Sequence, residues 1–125
     1  MGLLHSKRHE IMKESEIQNQ IRIACNTGDI RLWRNNVGVA KTKHGVIRFG
    51  IPGEGGSDLI GFKTITITAD HIGKQIAVFA AVECKAPKGK PTTEQTNFIE
   101  FIRNSGGLAG IARSTEDAKS ILNEL

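Results

Sequence analysis

Acidic residues are missing altogether between Ile30 and Gly53, although Arg31, Arg34, Lys41, Lys43 and Arg48 all fall there. Cysteine is almost as scarce. Cys25 and Cys84 stand far apart and form no CxxC pair, which excludes a zinc knuckle and points to a reducing compartment. No apolar run approaches the roughly 18 residues that a membrane helix needs. The opening "MGLLHSKRHE" has too short an apolar stretch for a signal peptide. It reads as a mobile arm over residues 1–12, ahead of one domain over 13–125 in an intracellular protein. There is no internal repeat, low-complexity tract or linker.

What is present is a chain of 125 residues, 38% hydrophobic and 24% charged, with a formal charge of +4. That suffices for one globular domain with a hydrophobic core. The modest basic excess permits an anionic partner without requiring one. Its uneven spread says more. Lys85, Lys88 and Lys90 form a second basic cluster, and two such clusters suit either solvated faces or a surface that tracks phosphates.

Periodicity and punctuation set the elements. Ser15 with Gln18 fits a capping box at the start of a helix, and Ile17, Ile21 and Ala24 repeat at helical spacing before Gly28 stops it. Asp29 to Asn36 reads as a strand, Lys41 to Gly45 as a turn and Val46 to Gly50 as the returning strand. A glycine-rich loop, "IPGEGG", precedes a strand from Ser57 to Thr68, and Gln75 to Ala86 returns as another. Thr92 and Gln95 form a second capping box, with Phe98, Ile99 and Ile102 as an apolar stripe and Gly106 as the stop. Leu108 to Arg113 is a short strand. A last helix follows, capped by Ser114 and carrying Ile121, Leu122 and Leu125. The order α-β-β-β-β-α-β-α predicts an α/β (α+β) fold with helices packed on a sheet.

Glu83 and Lys85 close the most apolar strand, two residues apart and therefore on one face. A hairpin symmetric about the turn between Asp70 and His71 sets Asp58 opposite Glu83 and gathers Leu59, Ile65, Ile67, Ile76, Val78 and Val82 on the other face. Directly opposed Cβ atoms lie about 5 Å apart. Two carboxylates that close repel each other, and a hard divalent ion relieves the repulsion. The Cys84 carbonyl is a further candidate ligand. A lysine beside such an ion can orient an attacking water and offset charge on a phosphate. The same spacing also fits a simple surface ion pair between Glu83 and Lys85.

"GGSD" (Gly55 to Asp58), "ECK" (Glu83 to Lys85) and "EQTNF" (Glu94 to Phe98) resemble the PD-(D/E)XK nuclease superfamily and, within it, the VRR-NUC family. The likeness runs from Glu16 to about Asp117 and includes "ESEIQNQIR", "RNNVG" and "GGLAGIARSTED". It implies a restriction-endonuclease-like αβββαβ core, with a mixed sheet flanked by helices, and a Mg²⁺ or Mn²⁺ cofactor with no organic one. By this likeness Asp58 and Glu83 are the metal-binding acids, Lys85 is the catalytic lysine, and Gln95 supports lysine and phosphate. Glu16 is then an acid of the first helix that approaches the metal. Ser57 stands where a proline is usual and Cys84 where an aliphatic residue is usual, and neither change removes a ligand oxygen.

The resemblance also implies cleavage of DNA phosphodiesters, in short members by homodimers akin to Holliday-junction resolvases. Arg34, Asn35, Asn36, Lys41, Lys43, Arg48, Lys88 and Lys90 are the candidate DNA contacts, Asn35 and Asn36 being equally suited to a turn. Trp33 reads as core, Gln95 as either cap or site residue, and the histidines as surface. The alternatives are a DNA-binding module that kept the fold without catalysis and a protein-interaction domain with a basic face. No membrane partner is expected.

Overall fold

A computed structural model describes residues 12–51 and 55–125. Residues 1–11 of the N-terminal arm expected over 1–12, and the middle of the glycine-rich loop, lie outside them. The described elements are α1 (Glu14–Cys25), β1 (Ile30–Arg34), β2 (Gly38–Thr42), β3 (Gly45–Phe49), β4 (Leu59–Lys63), a 3-10 turn (Ala69–His71), β5 (Ala80–Cys84), α2 (Thr93–Asn104), β6 (Leu108–Ala112) and α3 (Thr115–Leu122). Antiparallel and parallel strand pairs combine with helices into the mixed α+β architecture that the sequence implies. Contacts divide the chain into two compact units, Met1–Lys63 and Thr64–Leu125. No helix among the described residues is long and apolar enough to cross a membrane.

In the first unit α1 begins two residues earlier than the capping box requires. Lys13 is the N-cap, without a side-chain cap bond, so the Ser15–Gln18 box does not form. Glu14 and Glu16 occupy the first turn instead, where negative charge favours the helix dipole. The helix stops at Asn26. Its Oδ1 accepts from the Leu32 N–H (2.8 Å), while Nδ2 donates to the Leu32 and Arg22 carbonyls (2.9 and 2.8 Å). One carboxamide therefore ends α1 and joins it to β1. Gly28 follows at φ 57°.

The first strand pairs with β4, antiparallel, from Ile30 opposite Lys63 to Arg34 opposite Leu59. The expected partner, the strand from Val46, instead pairs with β2, which forms between the first expected strand and the turn. Trp33 is half-buried, its ring centroid 5.8 Å from that of Phe62. Leu32 faces Gly61, and a Cβ at position 61 would overlap the Arg31 carbonyl oxygen and lie 2.9 Å from Leu32 Cα.

The second unit opens without a strand. Thr64 to Phe79 forms no ladder and holds the 3-10 turn, so the long hairpin expected over Ser57 to Ala86 is not observed. Around the expected turn His71 Nδ1 accepts from the Thr68 N–H (3.0 Å), and the His71 N–H donates to the Thr68 carbonyl (3.0 Å). These bonds close a capped 3-10 turn, and β4 and β5 take other partners, β1 and β6. Accordingly Ile65, Ile67, Ile76 and Val78, expected on a core face, are exposed.

The core of this unit lies further on. β5 and β6 run parallel, Glu83 opposite Ile111, joined through α2 as a βαβ connection demands. Thr92 caps α2 as expected, and Gly106 ends it at φ 95°. Ser114 caps α3, its Oγ accepting from the Asp117 N–H at 3.1 Å. Ile102, Ala109, Ala112 and Ile121 are buried, whereas Leu122 and Leu125 are exposed.

Candidate active site

Strand β5 ends on Glu83 and Cys84, and the chain continues in register because the Lys85 N–H donates to the Ala112 carbonyl at 3.0 Å. Alternation then turns Glu83 and Lys85 to one side. Lys85 Nζ stands 3.3 Å from Glu83 Oε1, with side chains 19% and 33% exposed. The pair is thus partly withdrawn from water, where charge–charge attraction is screened less than on an open surface.

Gln95 completes the group. Its Nε2 donates to Glu83 Oε1 at 2.8 Å. Its Oε1 accepts from the Thr92 N–H at 2.9 Å, and its own N–H donates to Thr92 Oγ1 at 3.1 Å. Cap and site residue were alternatives in the sequence. The structure shows the cap together with a contact to Glu83, because the acceptor end of the carboxamide serves the cap and the donor end meets Glu83. Both contacts to Glu83 fall on Oε1, and among the described residues Oε2 makes no hydrogen bond or ion pair. Beside this trio opens a cavity of about 410 Å³, walled by Ala81, Val82, Phe98 and Ile99 and by the polar Glu83, Glu94 and Gln95.

Asp58 belongs to the first unit, immediately before β4, and is exposed. Its carbonyl accepts from the Asn35 N–H at 2.8 Å. Its carboxylate, like that of Glu16 on the exposed side of α1, has no hydrogen-bond or ion-pair partner among the described residues. Cys84 is exposed. Among the described residues no group of three or more His, Cys, Asp or Glu is disposed to hold a metal ion. The available donors still suit a hard cation that keeps several waters and takes one or two carboxylates. They are carboxylate and carbonyl oxygens, with no thiolate or imidazole set.

The basic candidates divide by place. Lys41 and Arg48 lie on one face of the β2–β3 hairpin, because Lys41 is paired with Val46 and Arg48 with Val39. Lys43 occupies the turn, and Arg34 and Asn36 are exposed where β1 ends. Lys88 and Lys90 are exposed on the loop after β5, held by Arg113 Nη2 donating to the Gly89 carbonyl at 2.8 Å. Sequence reasoning missed Arg113, since nothing in its spacing marks a contact 24 residues away. Asn35 differs from its neighbours, because its side chain is engaged by Ile51 and Ser57.

An ExK pair at a strand end, met by a glutamine from the following helix, is what the structure brings together on an α+β fold. The chain matches the family model of the VRR-NUC domain over residues 12–116, and it belongs to that family. Its function is accordingly of the nuclease type, acting on DNA. Comparison with curated proteins and with solved structures found no match in either.

Proposed function

We propose that this protein is a Mg²⁺- or Mn²⁺-dependent endodeoxyribonuclease that cuts branched DNA in the manner of a Holliday-junction resolvase. The observation that carries the reading is the convergence of Lys85 Nζ and Gln95 Nε2 on one oxygen of Glu83, with the other oxygen unengaged among the described residues. Asp58, Glu83, the Cys84 carbonyl and Glu16 are the oxygen donors that would hold the cation. When bound, the cation supplies a Lewis acid beside the scissile phosphate.

The chain's own groups do the rest. Gln95 holds the Glu83 carboxylate in one orientation, and the α2 cap holds Gln95. Lys85 brings a positive charge to the nonbridging phosphate oxygens, where charge grows in the transition state, and its ammonium orients the incoming water. Arg34, Asn36, Lys41, Lys43, Arg48, Lys88 and Lys90 contact backbone phosphates, which position the substrate without reading its sequence.

A four-way junction presents two equivalent strands, and a homodimer with two sites matches that symmetry. The exposed Ile47 and Phe49 of the β2–β3 hairpin, on the face opposite Lys41 and Arg48, favour association over a lone chain. The protein is expected to be intracellular, where DNA is.

The test is incubation of the folded protein with labelled four-way junction, linear duplex and single strands, with and without Mg²⁺. Metal-dependent cutting of the junction in preference to the others supports the reading. Salt-sensitive binding that ignores Mg²⁺ and never cuts identifies a DNA-binding module that has kept only the fold.

A further inference from the structure

We propose that Asn35 is the positioning residue of Asp58, an inference that rests on the cation-binding role just assigned to that acid. The geometry begins where β1 ends. One residue past the last ladder pair, Arg34 with Leu59, the Asn35 N–H donates to the Asp58 carbonyl at 2.8 Å. The side chain then closes on the segment leading into Asp58. Oδ1 accepts from the Ile51 N–H at 3.0 Å, and Nδ2 donates to the Ile51 carbonyl and, at 3.0 Å, to the Ser57 carbonyl.

The carboxamide thus imitates a peptide group. It pairs with both backbone groups of Ile51 and spends its remaining N–H on the residue immediately before Asp58. Both amide hydrogens and the oxygen are occupied by main chain, and the reverse orientation would set an oxygen against two carbonyls. No donor remains for a phosphate, so Asn35 acts on the reaction through Asp58.

Asp58 needs such help. Its carboxylate has no partner among the described residues, so its direction is set by the main chain on either side. Asn35 holds that main chain at two adjacent carbonyls, those of Ser57 and Asp58. Groups that orient a metal-binding carboxylate typically contribute about 10–100-fold to metal affinity or activity.

The experiment measures Mn²⁺ binding to the DNA-free protein by electron paramagnetic resonance, and DNA binding in EDTA by fluorescence anisotropy. Asn35→Ala and Asn35→Asp are compared with Asp58→Ala and with the double variant Asn35→Ala/Asp58→Ala. Asn35→Asp keeps the size and the acceptor for Ile51 but sets an oxygen against two carbonyls, and circular dichroism of every variant, beside its DNA affinity in EDTA, reports whether it is folded. The inference expects both single Asn35 variants to bind Mn²⁺ about tenfold or more weakly, with DNA affinity in EDTA unchanged. It also expects the double variant to bind no more weakly than Asp58→Ala alone, because a positioning effect vanishes with the group it positions.

Unchanged Mn²⁺ binding in the Asn35 variants overturns the inference. So does an additive loss in the double variant, or a loss of DNA affinity in EDTA. If Asp58→Ala itself leaves Mn²⁺ binding intact, the cation role of Asp58 falls and the inference falls with it, an outcome distinct from failure at Asn35 alone.

Discussion

Gln95 performs two tasks with one side chain because a carboxamide has a donor end and an acceptor end. Substitution can separate them. Gln95→Glu keeps an acceptor for the Thr92 N–H, as in the usual capping box, but sets a second carboxylate against Glu83. It is expected to melt close to wild type and to cut DNA at least about tenfold more slowly. Gln95→Ala loses both contacts and is expected to lose about 1 kcal/mol as well. Melting curves beside cleavage rates check the pair, and equal activity in Gln95→Glu would deny the contact to Glu83 any role. At this scale the sequence was informative. Spacing put Glu83 and Lys85 on one face, where Lys85 Nζ stands 3.3 Å from Glu83 Oε1. Gln95 instead entered by resemblance, as a support for the lysine and phosphate, and its Nε2 meets Glu83. The role of Asn35 was not legible, since an asparagine at a strand end serves turns, clamps and phosphates alike. Only its partners, 16 and 22 residues away, decide between them.

Among the elements, those with strong local signals formed where periodicity placed them. Thr92, Gly106 and Ser114 mark helix ends by their own chemistry, and α2 and α3 follow. The strands were legible as extended segments but not as partners. Alternating Thr and Ile over residues 64–68 describes an extended chain whether or not a neighbour lies beside it. The box between Thr68 and His71 was hidden because a histidine at that position is not a usual capping residue. Pairing was instead decided by close approach. Gly61 lets β4 meet β1 where any Cβ would strike the Arg31 carbonyl. Gly61→Ala is therefore expected to destabilise by about 1–3 kcal/mol, read as a lower urea midpoint at unchanged slope. A midpoint equal to wild type would mean the ladder at Leu32 is looser than described.

For the whole molecule, charge placement matters more than charge total. A formal +4 is too small to bind DNA by itself, but the acid-free stretch from Ile30 to Gly53 concentrates cations on and beside one hairpin. Replacing Lys41, Lys43 and Arg48 together by Ala is expected to flatten the dependence of log K on log salt by about 2–3, at roughly 0.9 per lost phosphate contact. Titration of labelled DNA at several salt concentrations measures it. An unchanged slope would remove the hairpin from the DNA surface. The central claim concerns chemistry rather than binding, and it rests on the carboxylate of Glu83. Glu83→Gln keeps the shape of that side chain and removes its charge. Its single-turnover cutting of junction DNA in saturating Mg²⁺ tests the claim most directly. The rate should fall at least about 100-fold while the protein stays folded and still binds DNA. A Glu83→Gln protein that cuts at the wild-type rate would contradict the account.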